Sequence, residues 1–264
     1  MDYIAGNKEA WEEAFENRDG AWGSDIVERI KNERLPFFEK DMAAVLEKRR
    51  LEGKTIGQFC SNNGRELLSL MQSGAQEGIG FDIAENQVKF ANKTAKILGH
   101  NCRFIAANIL DIGKEYYDRF DLIIITIGAL CWFKDLGAFF DKVYRCLKKG
   151  GCVIINEQHP LTNMFAVSGE DNYKKELPAD LVNSYFHKEW KDNDGMYYMT
   201  KKSYKSKTFT DYTHPFAEIV GAICGSGLNI SSLREFEYDI SGMFGGLDHR
   251  GIPLSYILEA KKNL

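Results

Sequence analysis

The stretch KTIGQFCSNNGRELLSLMQSGAQEGIGFD, residues 54–82, decides the fold class of this chain. Thr55 to Cys60 suits a buried strand, and Ser61-Asn62-Asn63-Gly64 is dense in residues that tolerate left-handed backbone angles. A helix opens at Arg65 with Leu67, Leu68, Leu70 and Met71 on its buried face, and it breaks at Gly74. Gly78-Ile79-Gly80-Phe81 then forms a second strand that ends in Asp82. A helix N-terminus after a small, flexible turn presents backbone N–H groups to a ligand, and an acidic residue about 20 positions on suits a ribose hydroxyl pair. Together they describe a nucleoside pocket. The same residues also fit an ordinary strand–helix–strand unit in which Asp82 only caps the helix at Glu85.

Beyond residue 82 the alternation continues. Glu85 to Leu98 reads as a helix ending at Gly99, and Cys102 to Ala107 as a third strand. Phe120 to Thr126 is an unbroken apolar run of the kind found in buried parallel sheets. Asp135 caps a helix carrying Leu136, Phe139, Phe140, Val143 and Leu147, with Lys148-Lys149-Gly150-Gly151 as its basic last turn and glycine stop. Cys152 to Asn156 is the fifth strand. Strands and helices at this interval predict a parallel, doubly wound α/β sheet.

The run from Ile56 to Asn156 resembles the class I S-adenosylmethionine-dependent methyltransferases, in particular their bacterial small-molecule branch. The matching text is Gln58-Phe59-Cys60-Ser61-Asn62-Asn63-Gly64-Arg65-Glu66-Leu67-Leu68-Ser69-Leu70, followed by Ser73-Gly74-Ala75. The resemblance implies a Rossmann-like methyltransferase sheet, mostly parallel, with a C-terminal antiparallel hairpin. It implies S-adenosylmethionine as cofactor and S-adenosylhomocysteine as product. Asp82 falls where the family holds the ribose, and Asn108 where it usually has an Asp facing the adenine amino group. By the same resemblance Gln58, Cys60, Ser61, Asn62 and Gly64 line the first loop, with Ile83, Gln87 and Ile109 beside the nucleoside. Ile127, Gly128 and Trp132 line the methionine end, and Tyr3 and Trp11 come from helices that lie over the cofactor. Gln58 and Asn108 depart from acidic residues common at those positions, although both still accept hydrogen bonds.

The flanks complete the layout. Asn7 is expected to cap a first helix with Trp11, Ala14 and Phe15 on one face; a second helix follows Ser24, and Pro36 starts a third. Residues 1–53 thus form an N-terminal helical lid, and 54–160 the cofactor-binding α/β core. Residues 161–208 are polar, aromatic and irregular, and so long a connection in a compact domain reads as an inserted cap over the substrate pocket. Residues 209–264 supply a helix opened by Pro215 and two strands, near Ile230 to Tyr238 and Leu254 to Ala260, that complete the core sheet as a hairpin. A nicotinamide-dependent oxidoreductase would more usually continue with a parallel sixth strand, which disfavours that alternative. A non-catalytic protein that binds S-adenosylmethionine is the other alternative, motivated by Gln58 and Asn108.

Ligands of open α/β sheets sit beyond the carboxyl ends of the strands. After the fourth strand comes Ile127-Gly128-Ala129-Leu130-Cys131-Trp132, and after the fifth Glu157-Gln158-His159-Pro160. Trp132 either shields a sulfonium or plugs the sheet. Methyl transfer is an in-line displacement at carbon, and positioning supplies much of the acceleration. A base is needed only when the small-molecule N, O or S nucleophile arrives protonated. His159, Glu157 and His214 are the candidates. The other histidines, at 100, 187 and 249, have no partner at metal-ligand spacing, and no metal is expected.

Composition bounds the partners. In 264 residues, 44% hydrophobic and 12% aromatic, a net charge of −4 gives no electrostatic reason to expect nucleic acid. Six cysteines without a CxxC pair suit reduced thiols in the cytoplasm. The start MDYIAGNKEAWEE is not basic and apolar, as a secretory leader would be, and no run approaches the roughly 18 apolar residues that span a bilayer. A monomer or homodimer is expected.

Overall fold

The computed structural model describes residues 2–168 and 170–264. Three helices come first: α1 (Tyr3–Glu16), α2 (Ile26–Asn32) and α3 (Lys40–Glu47). The alternating core follows as β1 (Thr55–Phe59), α4 (Arg65–Leu70), β2 (Glu77–Asp82), α5 (Glu85–Leu98), β3 (Cys102–Ala106), β4 (Phe120–Ile125), α6 (Leu136–Cys146) and β5 (Leu147–Gln158). After β5 come β6 (Glu189–Asp192), α7 (Tyr197–Thr200) and β7 (Phe209–Tyr212), and then α8 (Phe216–Gly225), β8 (Asn229–Phe236) and β9 (Ser255–Lys261).

The apolar run of β4 explains why the sheet is covered twice. Ile123 and Ile125 belong to a core that contains Phe59, Phe81, Phe139 and Val143, while Leu122 and Ile124 face the opposite core of Ile56, Leu67, Leu70 and Met42. Side chains of a strand alternate between faces, so an unbroken apolar strand needs helices on both sides. Among the described residues seven strands form one sheet in the order β3-β2-β1-β4-β5-β9-β8. β1 to β5 run parallel, and β9 pairs antiparallel with both β5 and β8. The sheet order reverses direction between β1 and β4, which places the ligand crevice at the carboxyl ends of those strands. None of the described helices is long and apolar enough to cross a membrane.

Four boundaries differ from the sequence expectation. α1 begins at Tyr3, capped by the Asp2 carboxylate accepting from the Ile4 N–H at 3.3 Å. Asn7 therefore lies inside that helix, and its amide pairs with both backbone groups of Thr210, each at 2.7 Å. α3 starts at Lys40, because Pro36 follows a left-handed Leu35 in a turn. β5 starts at Leu147, whose burial against Phe120 draws Lys148-Lys149-Gly150-Gly151 out of the helix end and into a bulged strand. Finally, β7 leaves the main sheet and pairs antiparallel with β6, so the ribbon crosses the expected boundary at 208. That ribbon and α1 meet over the sheet edge, with Trp11 edge-on to Phe209 and to Trp132, both at 5.3 Å.

Candidate active site

The turn after β1 follows from three left-handed residues in five: Cys60 (φ 57°), Asn62 (φ 48°) and Gly64 (φ 80°). Only the last is glycine, and packing demands it, because a Cβ there would lie 2.5 Å from the Phe104 ring and 2.9 Å from Ala91. The turn is tied to the end of β2: Ser61 N–H donates to Phe81 O at 2.8 Å, and Asn62 N–H to the Asp82 carboxylate at 2.7 Å. Asp82 also accepts from Ala84 N–H at 3.0 Å. Burial raises the Asp82 pKa, and these backbone donors partly offset the rise. Gln58 is wholly buried; its side chain accepts from Leu67 N–H at 3.1 Å and donates to the Thr126 hydroxyl at 3.2 Å. It thereby occupies a free amide of the α4 start and braces β1 to β4.

Two loops complete the strand ends. Asn108 caps a short helical turn, accepting from Leu110 N–H at 3.2 Å while its amide donates to Asp111 at 2.9 Å. After β4, the buried Glu157 carboxylate of β5 accepts from Gly128 N–H and Ala129 N–H, both at 2.6 Å, and from Leu130 N–H at 3.0 Å. Burial raises the Glu157 pKa, again against the pull of the backbone donors. Gly128 is left-handed (φ 77°) with open space where a Cβ would be.

These elements wall a cavity of about 810 Å³. That volume lies within the roughly 300–1,000 Å³ of small-molecule sites. The β1 loop contributes Cys60 and Asn62; Asp82 and Ile83 come from β2, and Gln87 from α5. Asn108 and Ile109 follow β3, Ile127, Gly128 and Trp132 follow β4, and α1 adds Tyr3 and Trp11. Gln58, Ser61 and Gly64 are not among the lining residues: they hold the turn from behind. Gln87 is buried with a side-chain oxygen that has no partner among the described residues. An unpaired buried acceptor beside Asp82 and Asn108 fits a nucleoside with hydroxyl and amino donors, so the residues present suit S-adenosylmethionine.

A family model described as "Methyltransferase domain" matches residues 58–214. The chain belongs to that family. It is a methyltransferase. No curated protein sequence matches the chain. Among solved structures, the chain is similar to an S-adenosylmethionine-dependent methyltransferase from Mesorhizobium loti (17% identity, 83% of this chain and 96% of that one, TM-score 0.60). It is also similar to geranyl diphosphate C-methyltransferase from Streptomyces coelicolor A3(2), solved with Mg2+, geranyl diphosphate and S-adenosyl-L-homocysteine (12% identity, 99% of this chain and 98% of that one, TM-score 0.62). A third similar structure is the cyclase SpnF (14% identity, 85% of this chain and 81% of that one, TM-score 0.56). At these identities the likeness is one of fold.

The three base candidates of the methyltransferase all reach the cavity wall, and all are engaged. His159 Nδ1 accepts from Leu161 N–H at 3.1 Å, and Nε2 lies 2.9 Å from the Glu235 carboxylate. Its ring stacks on Phe216 at 5.1 Å, and burial lowers its pKa against the opposing pull of Glu235. His214 Nε2 lies 2.9 Å from Phe133 O, with Nδ1 3.2 Å from Glu218. Glu157 holds the loop after β4, as described.

Of three other polar groups in the wall, Asp211 and Tyr256 went unnoticed in the sequence, whereas Tyr198 is one of the aromatic residues that mark the cap segment. Asp211 lies on β7, Tyr256 on β9 opposite Glu157, and Tyr198 on α7, whose hydroxyl accepts from the Asn62 amide at 3.2 Å. Phe209-Thr210-Asp211-Tyr212 does not alternate apolar with polar residues, so no strand signal marks Asp211. Tyr256 lies within an apolar strand and carries no signal distinguishing it from core.

Proposed function

We propose that the methyltransferase transfers a methyl group to a small-molecule N, O or S nucleophile by in-line displacement, beneath a lid formed by α1 and the β6–β7 ribbon. One observation carries this proposal: a single cavity of about 810 Å³ is lined both by Asp82 and Asn108 at the strand ends and by Asp211 of the ribbon and Tyr256 of β9. Bound S-adenosylmethionine supplies an electrophilic methyl group on a sulfonium. Asp82 accepts the ribose hydroxyls with the lone pairs its backbone donors leave free, and Asn108 and Gln87 meet the base. Trp132 offers an aromatic face to the sulfonium, an attraction of about 0.5 to 2 kcal/mol. Glu157 positions the loop of Gly128 to Leu130 rather than moving a proton, and His159 and His214 brace the walls. Water is excluded by the aromatic contacts of Trp11, Phe209 and Trp132. The six unpaired cysteines suit a reducing compartment such as the cytoplasm.

Isothermal titration calorimetry with S-adenosylhomocysteine, S-adenosylmethionine and NADH tests this. Micromolar binding of the two adenosyl ligands and none of NADH is expected. Asp82→Ala should weaken S-adenosylhomocysteine by roughly 100-fold, about 3 kcal/mol, at unchanged fold. Unaltered affinity in that variant would refute the assignment of Asp82.

A further inference from the structure

Where the β6–β7 ribbon meets the cavity, the wall is acidic. Among the described lining residues of the ribbon and the turn after β6, Asp192, Asp194 and Asp211 are acidic, against a single cation, Lys191. Asp211 shares a face of β7 with Phe209, and Phe209 packs against Trp132 at 6.0 Å, so the carboxylate is on the side turned to the loop after β4. Its carboxylate accepts no hydrogen bond from the described residues. The titratable groups that face it are Asp192 and His187 from the β6 side and Cys131 from the loop after β4. Burial first, and then repulsion from Asp192, push its pKa up to about 6.

A second feature of the same cavity calls for a ligand independently. Tyr256 is wholly buried, and its hydroxyl has no hydrogen-bond partner among the described residues, yet it lines the cavity beside Glu157. A buried hydroxyl left unpaired is costly, and a polar ligand atom would recover that loss.

Resting on the methyltransferase reading above, we propose that the methyl acceptor is a primary or secondary amine that enters as its ammonium ion, that Asp211 receives first its charge and then its proton, and that Tyr256 meets a further polar atom of the acceptor. An anionic acceptor would add to the negative charges of Asp192, Asp194 and Asp211, and a neutral one would leave them uncompensated. An ammonium ion has no lone pair and cannot attack carbon until it is deprotonated. The Asp211 carboxylate takes one N–H proton. The freed nitrogen lone pair then forms the N–C bond as the C–S bond breaks, its electrons remaining on sulfur. The products are a methylated ammonium ion and S-adenosylhomocysteine, and the proton held by Asp211 passes to water. A group that titrates near 6 is an ionised acceptor at neutral pH and a stronger base than an ordinary Asp.

The test uses the full chain saturated with S-adenosylhomocysteine and titrated with phenethylamine, 2-phenylethanol and 3-phenylpropionate. The amine should bind at least tenfold more tightly than the alcohol, and the carboxylate should bind weakest. Asp211→Asn should abolish that order while leaving S-adenosylhomocysteine affinity unchanged. With S-adenosylmethionine and phenethylamine, kcat/KM should rise with pH along a limb set by Asp211. Asp192→Asn should move that limb to lower pH, a shift that a merely structural role would not produce. Absence of amine binding, equal binding of the three probes, or an unaltered preference in Asp211→Asn would overturn the proposal while S-adenosylhomocysteine still binds. Failure of the wild type to bind S-adenosylhomocysteine would overturn the function proposed above, and this proposal with it.

Discussion

Asp82 and Glu157, at the strand ends, are held by backbone N–H groups that donate to their carboxylates, whereas Asp211, in the wall of the same cavity, accepts no such bond from the described residues. The first two carboxylates hold loops in place, Asp82 with lone pairs to spare; the third has no donor of the described residues on its oxygens. Local chain geometry builds the first arrangement, since the donors are the next amides along the chain or those of the adjoining strand's loop. The second is assembled from α1, the loop after β4 and the β6–β7 ribbon, which meet only through tertiary contacts. A pocket of this kind pairs a rigid donor half with an acceptor half whose chemistry is left open to the ligand.

The largest effect is expected where the rigid half is most tightly packed. Gly64→Ala forces a Cβ to within 2.5 Å of Phe104 at a left-handed φ of 80°. A loss of roughly 3 to 4 kcal/mol is expected, read as a lower urea midpoint. Gly128→Ala, also left-handed but with open space around its Cβ, should cost only about 1 kcal/mol and chiefly weaken ligand binding. Equal losses at the two glycines would erase the distinction between a packed turn and a cavity-facing one.

Next comes the seam between the halves. Asn7→Ala strands the N–H and C=O of Thr210 that its amide now satisfies. About 2 kcal/mol should be lost, and hydrogen exchange in α1 and β7 should quicken while β1 and β4 stay protected. Uniform loss of protection would mean that the ribbon and the core unfold as one unit.

The smallest effect probes the open half by pH. The pKa of Asp211 is raised from 3.8 to about 6 on folding, so its contribution favours the folded state below 3.8 and is lost as pH rises through 6. Asp211→Asn should therefore be more stable than the wild type at pH 7.5, by on the order of 1 to 2 kcal/mol, with the gap closing by pH 3.5. Thermal unfolding at the two pH values reads this directly. A variant less stable at pH 7.5 would mean that the carboxylate is held by partners, as Asp82 is.

Much of the donor half was legible because the residues that shape it are close in sequence. Asp82 ends a strand that follows the turn by one helix, and Asp135 caps α6 as its position implies. Gln58 was visible as a departure, but its task was not: it lies behind the turn, between Leu67 and Thr126, and only the fold brings those groups to it. The boundary errors have a common cause. Asn7 is a good cap by residue type, yet its amide is claimed by Thr210 from across the chain; Lys148-Lys149-Gly150-Gly151 reads as a helix stop, yet Leu147 gains more from burial against Phe120. Local preferences of about 1 kcal/mol yield to such contacts.

The alternation of apolar strands and amphipathic helices, the turn after β1 and the acidic residue at the end of β2 were determined by the sequence itself, because hydrophobic periodicity and backbone preference act over a few residues. The tertiary structure alone decided that His159, His214 and Glu157 are engaged in the walls while Asp211 and Tyr256 line the cavity with no side-chain partner among the described residues. Whether a polar side chain is satisfied or free depends on partners that are distant in the chain, and only the packed fold brings them within hydrogen-bond reach.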